Sequence, residues 1–423
     1  MSEILEQSWN KPYRIESSID DLRNTKDPII IYALTDEAEA IANACKEKGI
    51  HITAFCDNEI RKTEKMYWGL EVIFTPNLLK KFPRARFIIA HQSLDDCAEQ
   101  LSDFGYSDFY SPTNILKDYN VKNYSYLISE SYMQNKINNI IKINELYFDK
   151  SKTYVRSVDV VITTKCSMNC ESCANLMQYY VNAKNTDEAV LEAVKKLSEN
   201  VDHISEYRVI GGEPLMNKKW AEITNGIIDQ DPTRTVYVYT NATICPPEDK
   251  LKSFNGKNIH FFITDYDELS RNMSKTVEAL EKNNVPYKIR PAGNWVDCSR
   301  IREHHRSNEQ LKQIFKECCA KELFTLISGK FFTCPFIANA AELKAIPDNK
   351  ADYVDLLSGE PNIRKKLARL IHKKTFFPAC DFCDGRPHAP ESAKEYTGRG
   401  LIKAAKQIPM NTKLPFQELN NKN

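Results

Sequence analysis

A run rich in β-branched residues, RSVDVVITT (Arg156–Thr164), leads directly into TTKCSMNCESC, where Cys166, Cys170 and Cys173 stand in C-x3-C-x2-C spacing. Together they constrain the fold more than any other feature: a buried strand must deliver three thiols to one short loop. The triplet is too compact for a disulfide network and one ligand short of a closed structural zinc site. It suits a [4Fe–4S] cube in which three irons take thiolates and the fourth stays open. A chance group of cytosolic thiols, or a partial zinc site, is the plainer alternative.

Strand and helix signals alternate beyond the loop. A helical stretch, DEAVLEAVKKLSEN, precedes the strand EYRVI, which ends in Gly211-Gly212-Glu213-Pro214. VYVYT ends in Thr240-Asn241-Ala242, HFFIT ends in Thr264-Asp265, and PYKIRP puts Arg290 at a fifth strand end. Singly, each is an ordinary turn or strand-edge residue. As an ordered series they are what a barrel of parallel strands presents on its carboxyl-terminal face. On the triplet and the GGEP segment the chain resembles the radical S-adenosylmethionine (SAM) superfamily, although Ser172 stands where that family often has an aromatic.

The resemblance implies a partial (β/α)6 barrel whose open iron chelates the amino and carboxylate groups of SAM and releases a 5′-deoxyadenosyl radical. It implies that Gly211, Gly212, Glu213 and Pro214 hold the methionine amino group. The glycines would let the backbone approach the ligand, and Glu213 would accept from the ammonium. Thr240 and Asn241 match a TNG-like turn, Thr264 and Asp265 the ribose contacts, and Arg290 a further SAM-side position. An electron donor such as flavodoxin or ferredoxin is implied as partner.

A second cysteine set follows. Cys319, Gly329 and Cys334 form C-x9-G-x4-C, and Cys380 and Cys383 form C-x2-C. ELFTLI and KFFTC read as strands joined by a two-residue turn at Ser328-Gly329, which folds the chain before ELFTLI toward Cys334. Four thiolates in two pairs would also satisfy a structural zinc. The pattern resembles the SPASM/Twitch extension of radical SAM enzymes, in its short Twitch form with one auxiliary [4Fe–4S] cluster. Cys318 adjoins Cys319 and is the alternative ligand.

A cluster with four protein ligands has no open iron, so its implied work is electron transfer. The expectation is an oxidoreductase that dehydrogenates a small carbohydrate, aminocyclitol or sugar-nucleotide substrate. A peptide-modifying maturase, an epimerase, and a zinc-bearing scaffold without catalysis remain the alternatives. Asp297 and Arg300 lie between barrel and extension as candidate catalytic residues, with an ordinary loop salt bridge the competing reading.

The rest of the chain sets bounds. A net charge of +1 over 423 residues argues against bulk electrostatic binding of nucleic acid. The first residues lack the apolar core of a signal peptide, and no apolar stretch reaches membrane-spanning length, so a cytoplasmic location is expected. Thirteen cysteines then belong to a reducing compartment. Cys45, Cys56 and Cys97 read as buried packing, while Cys245 and Cys298 have no assignment.

Residues 1–117 alternate strand and helix as a Rossmann-like α/β domain. They resemble small domains of bacterial polysaccharide and sugar-modifying proteins, most clearly across YWGLEVIFTPNLL. The dinucleotide glycines are replaced by Ala33-Leu34-Thr35-Asp36-Glu37, whose acids would repel a pyrophosphate. Asp57 is expected to be a surface acid or a ribose ligand, and the domain a docking or degenerate binding module. Residues 118–150 read as a helical linker, 151–300 as the barrel, 301–390 as the cluster extension and 391–423 as a polar, disordered tail. The basic run IRKKLARLIHKK is a solvated helix face or a site for a phosphorylated substrate.

Overall fold

Val158, Val160, Val209, Val236, Val238, Phe261 and Ile263 alternate along four strands and are almost completely buried. They belong to one hydrophobic core, so one side of a sheet is apolar throughout. The computed structural model describes residues 13–14, 19–58, 66–121, 130–147, 149, 151–373, 375–388 and 392–416. The chain divides into two compact units, Met1–Lys152 and Thr153–Asn423.

In the first unit, β1 (Tyr13–Arg14), β2 (Ile29–Tyr32), β3 (Ala54–Asp57), β4 (Val72–Phe74), β5 (Arg86–Ile89) and β6 (Phe109–Tyr110) form one sheet. Its order is β1-β6-β5-β2-β3-β4 and its pairs are parallel. The helix Asp36–Glu47 buries Ala38, Ile41, Ala42 and Cys45 against it. The helix Glu130–Tyr147 adds Met133, Ile137 and Ile140 to the same core, so the expected linker is partly structural here.

The strand order switches direction between β2 and β5, where open α/β sheets usually take ligands. Here the crevice is closed by its own groups. Asp57 accepts the Leu34 N–H at 2.7 Å, Thr35 donates to the Ala90 carbonyl at 2.5 Å, and Gln92 donates to Glu37 at 2.9 Å. Asp57 is therefore not the surface acid that its position suggested. It is buried and caps the turn that lacks glycine.

The second unit begins with β7 (Tyr154–Val161), β8 (His203–Ile210), β9 (Thr235–Thr240), β10 (Ile259–Asp265) and β11 (Tyr287–Pro291). These five are parallel and adjacent in sequence order. The helix Trp220–Gln230 lays Trp220, Ile223 and Ile227 on the apolar face. Each such side chain contributes roughly 1.5–3 kcal/mol of burial. On the opposite face a polar row crosses the sheet in register: Asp159, Arg208, Tyr237 and His260. Arg208 pairs with Glu206 at 2.6 Å and stands 3.9 Å from Asp159.

The strand β12 (Asn294–Val296) leaves this sheet to pair with β16 (Leu401–Lys403). A sixth parallel neighbour comes instead from the later chain: β13 (Phe324–Ile327) pairs with β7. Then β14 (Lys330–Phe332) and β15 (Tyr353–Asp355) extend the sheet antiparallel, to eight strands. The result is an α/β architecture with parallel strands and an open sheet. Ser328 and Gly329 both have positive φ, 49° and 75°, the type I′ geometry of a two-residue hairpin.

The basic helix Ile363–Ile371 buries Leu367, Leu370 and Ile371, and its charges include Arg364, paired with Asp202 at 2.7 Å, and Lys366, paired with Glu360. Lys374, at the end of that run, lies outside the described residues, as do residues 417–423. No helix among the described residues is long and apolar enough to cross a membrane. The tail departs from expectation. Residues 407–416, read as disordered from their polarity, are bonded to the cysteine loop. Leu414 N–H donates to the Gln178 carbonyl at 2.9 Å and Phe416 packs edge-on against Tyr179.

Candidate functional site

The cysteine loop starts at the carboxyl end of β7 and is held against the GGEP turn by backbone bonds. Gly212 N–H donates to Thr163 O at 3.0 Å and Glu213 N–H to Lys165 O at 2.8 Å. A Cβ on Gly211 would lie 2.3 Å from Thr163 O, and one on Gly212 would lie 2.3 Å from Lys165 O and 2.7 Å from Cys166 Cβ. The close approach that demands glycine is thus to the loop's own backbone, where the sequence had suggested a ligand.

Glu213 is fully buried. Its Oε1 accepts from Thr240 Oγ1 at 2.9 Å and Leu215 N–H at 3.2 Å, and its Oε2 accepts from Asn241 N–H at 2.9 Å. Burial pushes its pKa up to about 7, against the opposing effect of these three donors. A carboxylate offers about four acceptor sites, so one remains for a cation. That remaining acceptor site fits an ammonium such as that of SAM.

The Thr240–Asn241 turn is tied in by the same carboxylate. Ala242 takes a left-handed φ of 52°, which accounts for glycine in a TNG-like turn. Asn241 also donates to Ser167 in the cysteine loop at 3.3 Å. Thr264 and Asp265 end β10, and the carbonyl of Asp265 accepts from Ala292 N–H at 2.9 Å. Arg290 is exposed on the edge strand β11, level with Thr264, and makes no contact with the triplet in the hydrogen bonds described.

Burial raises the pKa of all three thiols of the triplet, Cys170 to about 12, with their mutual repulsion adding to it at Cys166 and Cys170. Closely grouped thiols that resist ionisation fit a site completed by metal, whose positive charge drives deprotonation. Gln407 and Lys413 reach this loop from the tail. Gln407 Nε2 lies 3.2 Å from Cys170 Sγ, and Lys413 Nζ donates to Asn169 Oδ1 and Met177 O, each at 3.1 Å.

Asp297 and Arg300 are brought together, with Arg300 NH1 2.5 Å from Asp297 Oδ1. Ser172 donates to the same oxygen at 2.7 Å, and Arg399 Nε lies 3.6 Å from Oδ2. Burial opposes ionisation of Asp297, but the bonds from Arg300 and Ser172 outweigh it and hold the pKa below the usual carboxylate value. A carboxylate so held is a weak base. Arg399 also bonds Asp384, next to Cys383, at 2.8 Å. The network Ser172–Asp297–Arg399–Asp384 thereby joins the two cysteine sets.

The hairpin does bring the second set together. Cys334 follows β14 and adjoins Cys380 and Cys318 electrostatically, and all three are raised by burial first. Cys383 is raised by burial and then by Cys318. Cys318 is thus the common neighbour of Cys334, Cys380 and Cys383. Cys319, which the x9 spacing selects, is exposed as a residue, but its thiol is pushed up to about 12 by burial first and then by Cys318, with Cys298 adding to it. Cys298, without a sequence role, lies beside the Arg386 guanidinium.

A zinc tetrahedron would bring its sulfurs to about 3.8 Å of one another, given Zn–S bonds of about 2.3 Å. Among the described residues, the trio of candidate ligand atoms that converges within 4.8 Å is Glu303, His305 and Asp381, and no cysteine belongs to it.

Residues 160–283 match the model of the Radical SAM superfamily. No curated protein matches the chain. Similar solved structures include BtrN in complex with AdoMet and 2-DOIA, at 14% identity and TM-score 0.36, covering 55% of this chain and 94% of that one. Another is anSMEcpe with bound AdoMet and the Cp18Cys peptide, at 12% identity and TM-score 0.36, covering 58% and 96%. Streptococcus suis SuiB bound to S-adenosylmethionine is similar at 12% identity and TM-score 0.24, covering 42% and 48%. With the triplet, the GGEP turn and strands β8 to β10 all inside residues 160–283, the chain carries a domain of the Radical SAM superfamily.

Proposed function

We propose that the chain is a radical SAM oxidoreductase that dehydrogenates a hydroxyl-bearing, sugar-like substrate. In this reading Cys318, Cys334, Cys380 and Cys383 hold a second [4Fe–4S] cluster that receives the substrate's electron. The observation that carries it is the bonded network from Ser172, beside Cys173, to Asp384, beside Cys383. When bound, a cluster on Cys166, Cys170 and Cys173 with SAM supplies hydrogen-atom abstraction.

The chain's own groups supply the rest. Glu213 offers its one remaining acceptor site to the SAM ammonium, and Thr240 and Asn241 fix its orientation. The row Asp159, Arg208, Tyr237 and His260 gives the face opposite the helices a hydrogen-bonding lining, which favours a substrate rich in hydroxyls over an apolar one. Asp297 and Arg300 act as a fixed ion pair between the cysteine sets and are not the substrate's base. Loss of a hydrogen atom, then of a proton and an electron, turns a carbinol into a ketone.

The test is a Cys380→Ala/Cys383→Ala variant, reconstituted anaerobically and shown to lack the second cluster. It should still cleave SAM but release no product lighter by two hydrogens when offered aminocyclitols or sugar nucleotides that the parent oxidises. Undiminished oxidised product would sink the dehydrogenase reading, and product of unchanged mass from the parent enzyme would favour an epimerase.

A further inference from the structure

The segment from Ala404 to Leu414 comes from the far end of the sequence and lies along the cysteine loop. Glu171 N–H donates to Lys406 O at 2.8 Å, and Ile408 N–H donates to Asn169 O at 2.9 Å. Asn169 is wholly buried, and its side-chain amide donates to Pro409 O at 2.8 Å and Thr412 O at 2.7 Å. Lys406 pairs with Glu171 at 2.8 Å. Ala405 is buried against Met168 and Cys170.

Within this segment Gln407 is fixed at both ends of its amide. Oε1 accepts from Asn169 N–H at 2.8 Å, which leaves Nε2 to donate to Ala405 O at 2.6 Å and to Cys170 Sγ at 3.2 Å. The amide orientation is set by these partners, because Asn169 N–H can only donate. Gln407 also lines a groove of about 780 Å³ with Asp265, Tyr266, Pro291 and Ala404, on the same side of the sheet ends.

We propose that Gln407 is a positioning residue for the first cluster, its side-chain N–H holding the Cys170 sulfur and tuning the cluster from the carboxyl-terminal segment. This rests on the reading that the triplet binds a cluster. A hydrogen bond to a ligating sulfur stabilises the more negative, reduced state, so it raises the reduction potential. Neither the triplet spacing nor the GGEP turn requires such a donor. It comes from a segment more than two hundred residues away in sequence.

The experiment uses the full-length chain in the Cys380→Ala/Cys383→Ala background, so that the first cluster is read alone. Gln407→Ala and Gln407→Glu are compared with Gln407 by iron content, electron paramagnetic resonance of the reduced state and midpoint potential. Both variants should keep the iron of the first cluster, shift the potential to more negative values and alter the resonance line shape. The shift should be larger for Gln407→Glu, which puts a carboxylate beside the sulfur. Identical potential and spectrum in both variants would overturn the proposal. If Cys166→Ala/Cys170→Ala/Cys173→Ala leaves iron content unchanged, the cluster reading itself fails, independently of Gln407.

Discussion

Ser172 donates to Asp297 at 2.7 Å across 125 residues of sequence, from the position before Cys173 where related chains often carry an aromatic. The hydroxyl is satisfied here by a carboxylate. The departure from the family pattern is therefore paired with a polar partner in the loop after β12.

Asp297→Ala should remove the common partner of Ser172, Arg300 and Arg399. Because the carboxylate is only partly buried and solvent screens its ion pairs, a loss of roughly 1 kcal/mol of stability is expected. Its folded pKa is below the unfolded value of 3.8. Its contribution is therefore present above that value and fades as pH falls through the folded pKa. Melting curves should show the parent losing part of its advantage over the variant below about pH 4.

Glu213 has the opposite sign. Its folded pKa is raised from 4.5 to about 7, so the native state holds the proton more tightly than the unfolded one. Its favourable contribution to the ligand-free protein is complete below pH 4.5 and is lost as pH rises through 7. Glu213→Gln should flatten that slope and weaken SAM binding roughly ten- to hundredfold, the worth of a charge-assisted bond. Equilibrium binding of SAM and pH-dependent melting check the two parts separately. Unchanged SAM affinity would remove Glu213 from the ligand site.

Cys318 and Cys319 can be separated by iron analysis. Two [4Fe–4S] clusters correspond to about eight irons per chain. Cys318→Ala should lose about half of the iron, while Cys319→Ala should keep nearly all of it. The reverse result would restore the x9 spacing as the guide to the ligand. Stoichiometric zinc in the parent would remove the second cluster.

Gly212→Ala places a methyl 2.3 Å from Lys165 O and 2.7 Å from Cys166 Cβ. The neighbour on one side is backbone, so the loop itself must move. A cost of roughly 1–3 kcal/mol is expected, with impaired incorporation of the first cluster. Calorimetry and iron content give the two readouts.

The sequence carried what local chemistry determines. Val158 to Thr164 announced a strand entering the cysteine loop, and Ser328-Gly329 announced the hairpin, because β-branched runs and two-residue turns act over a few residues. Long-range pairing was not legible. Nothing in FTLI shows that it lies beside β7, and residues 407–416 have a composition that reads as free chain. The choice between Cys318 and Cys319 is not legible in spacing for a related reason: spacing counts positions without giving direction. Asp57 misled because an acid ending a strand is as suitable for capping a turn as for binding a ribose.

The β13–β7 ladder has a further effect. Val158 and Val160 face Phe324 and Leu326 in register, and β14 runs back so that Cys334 is level with the lower part of β7. From there to the end of β7 is about four residues, or about 13 Å along the strand. The strand that leads into the triplet and the hairpin that leads to Cys334 thus belong to one sheet, at a spacing set by its paired backbone. A hinge would let that spacing vary from moment to moment. A hydrogen-bonded sheet keeps it constant, so the strand register itself sets how far apart these two chain segments leave the sheet.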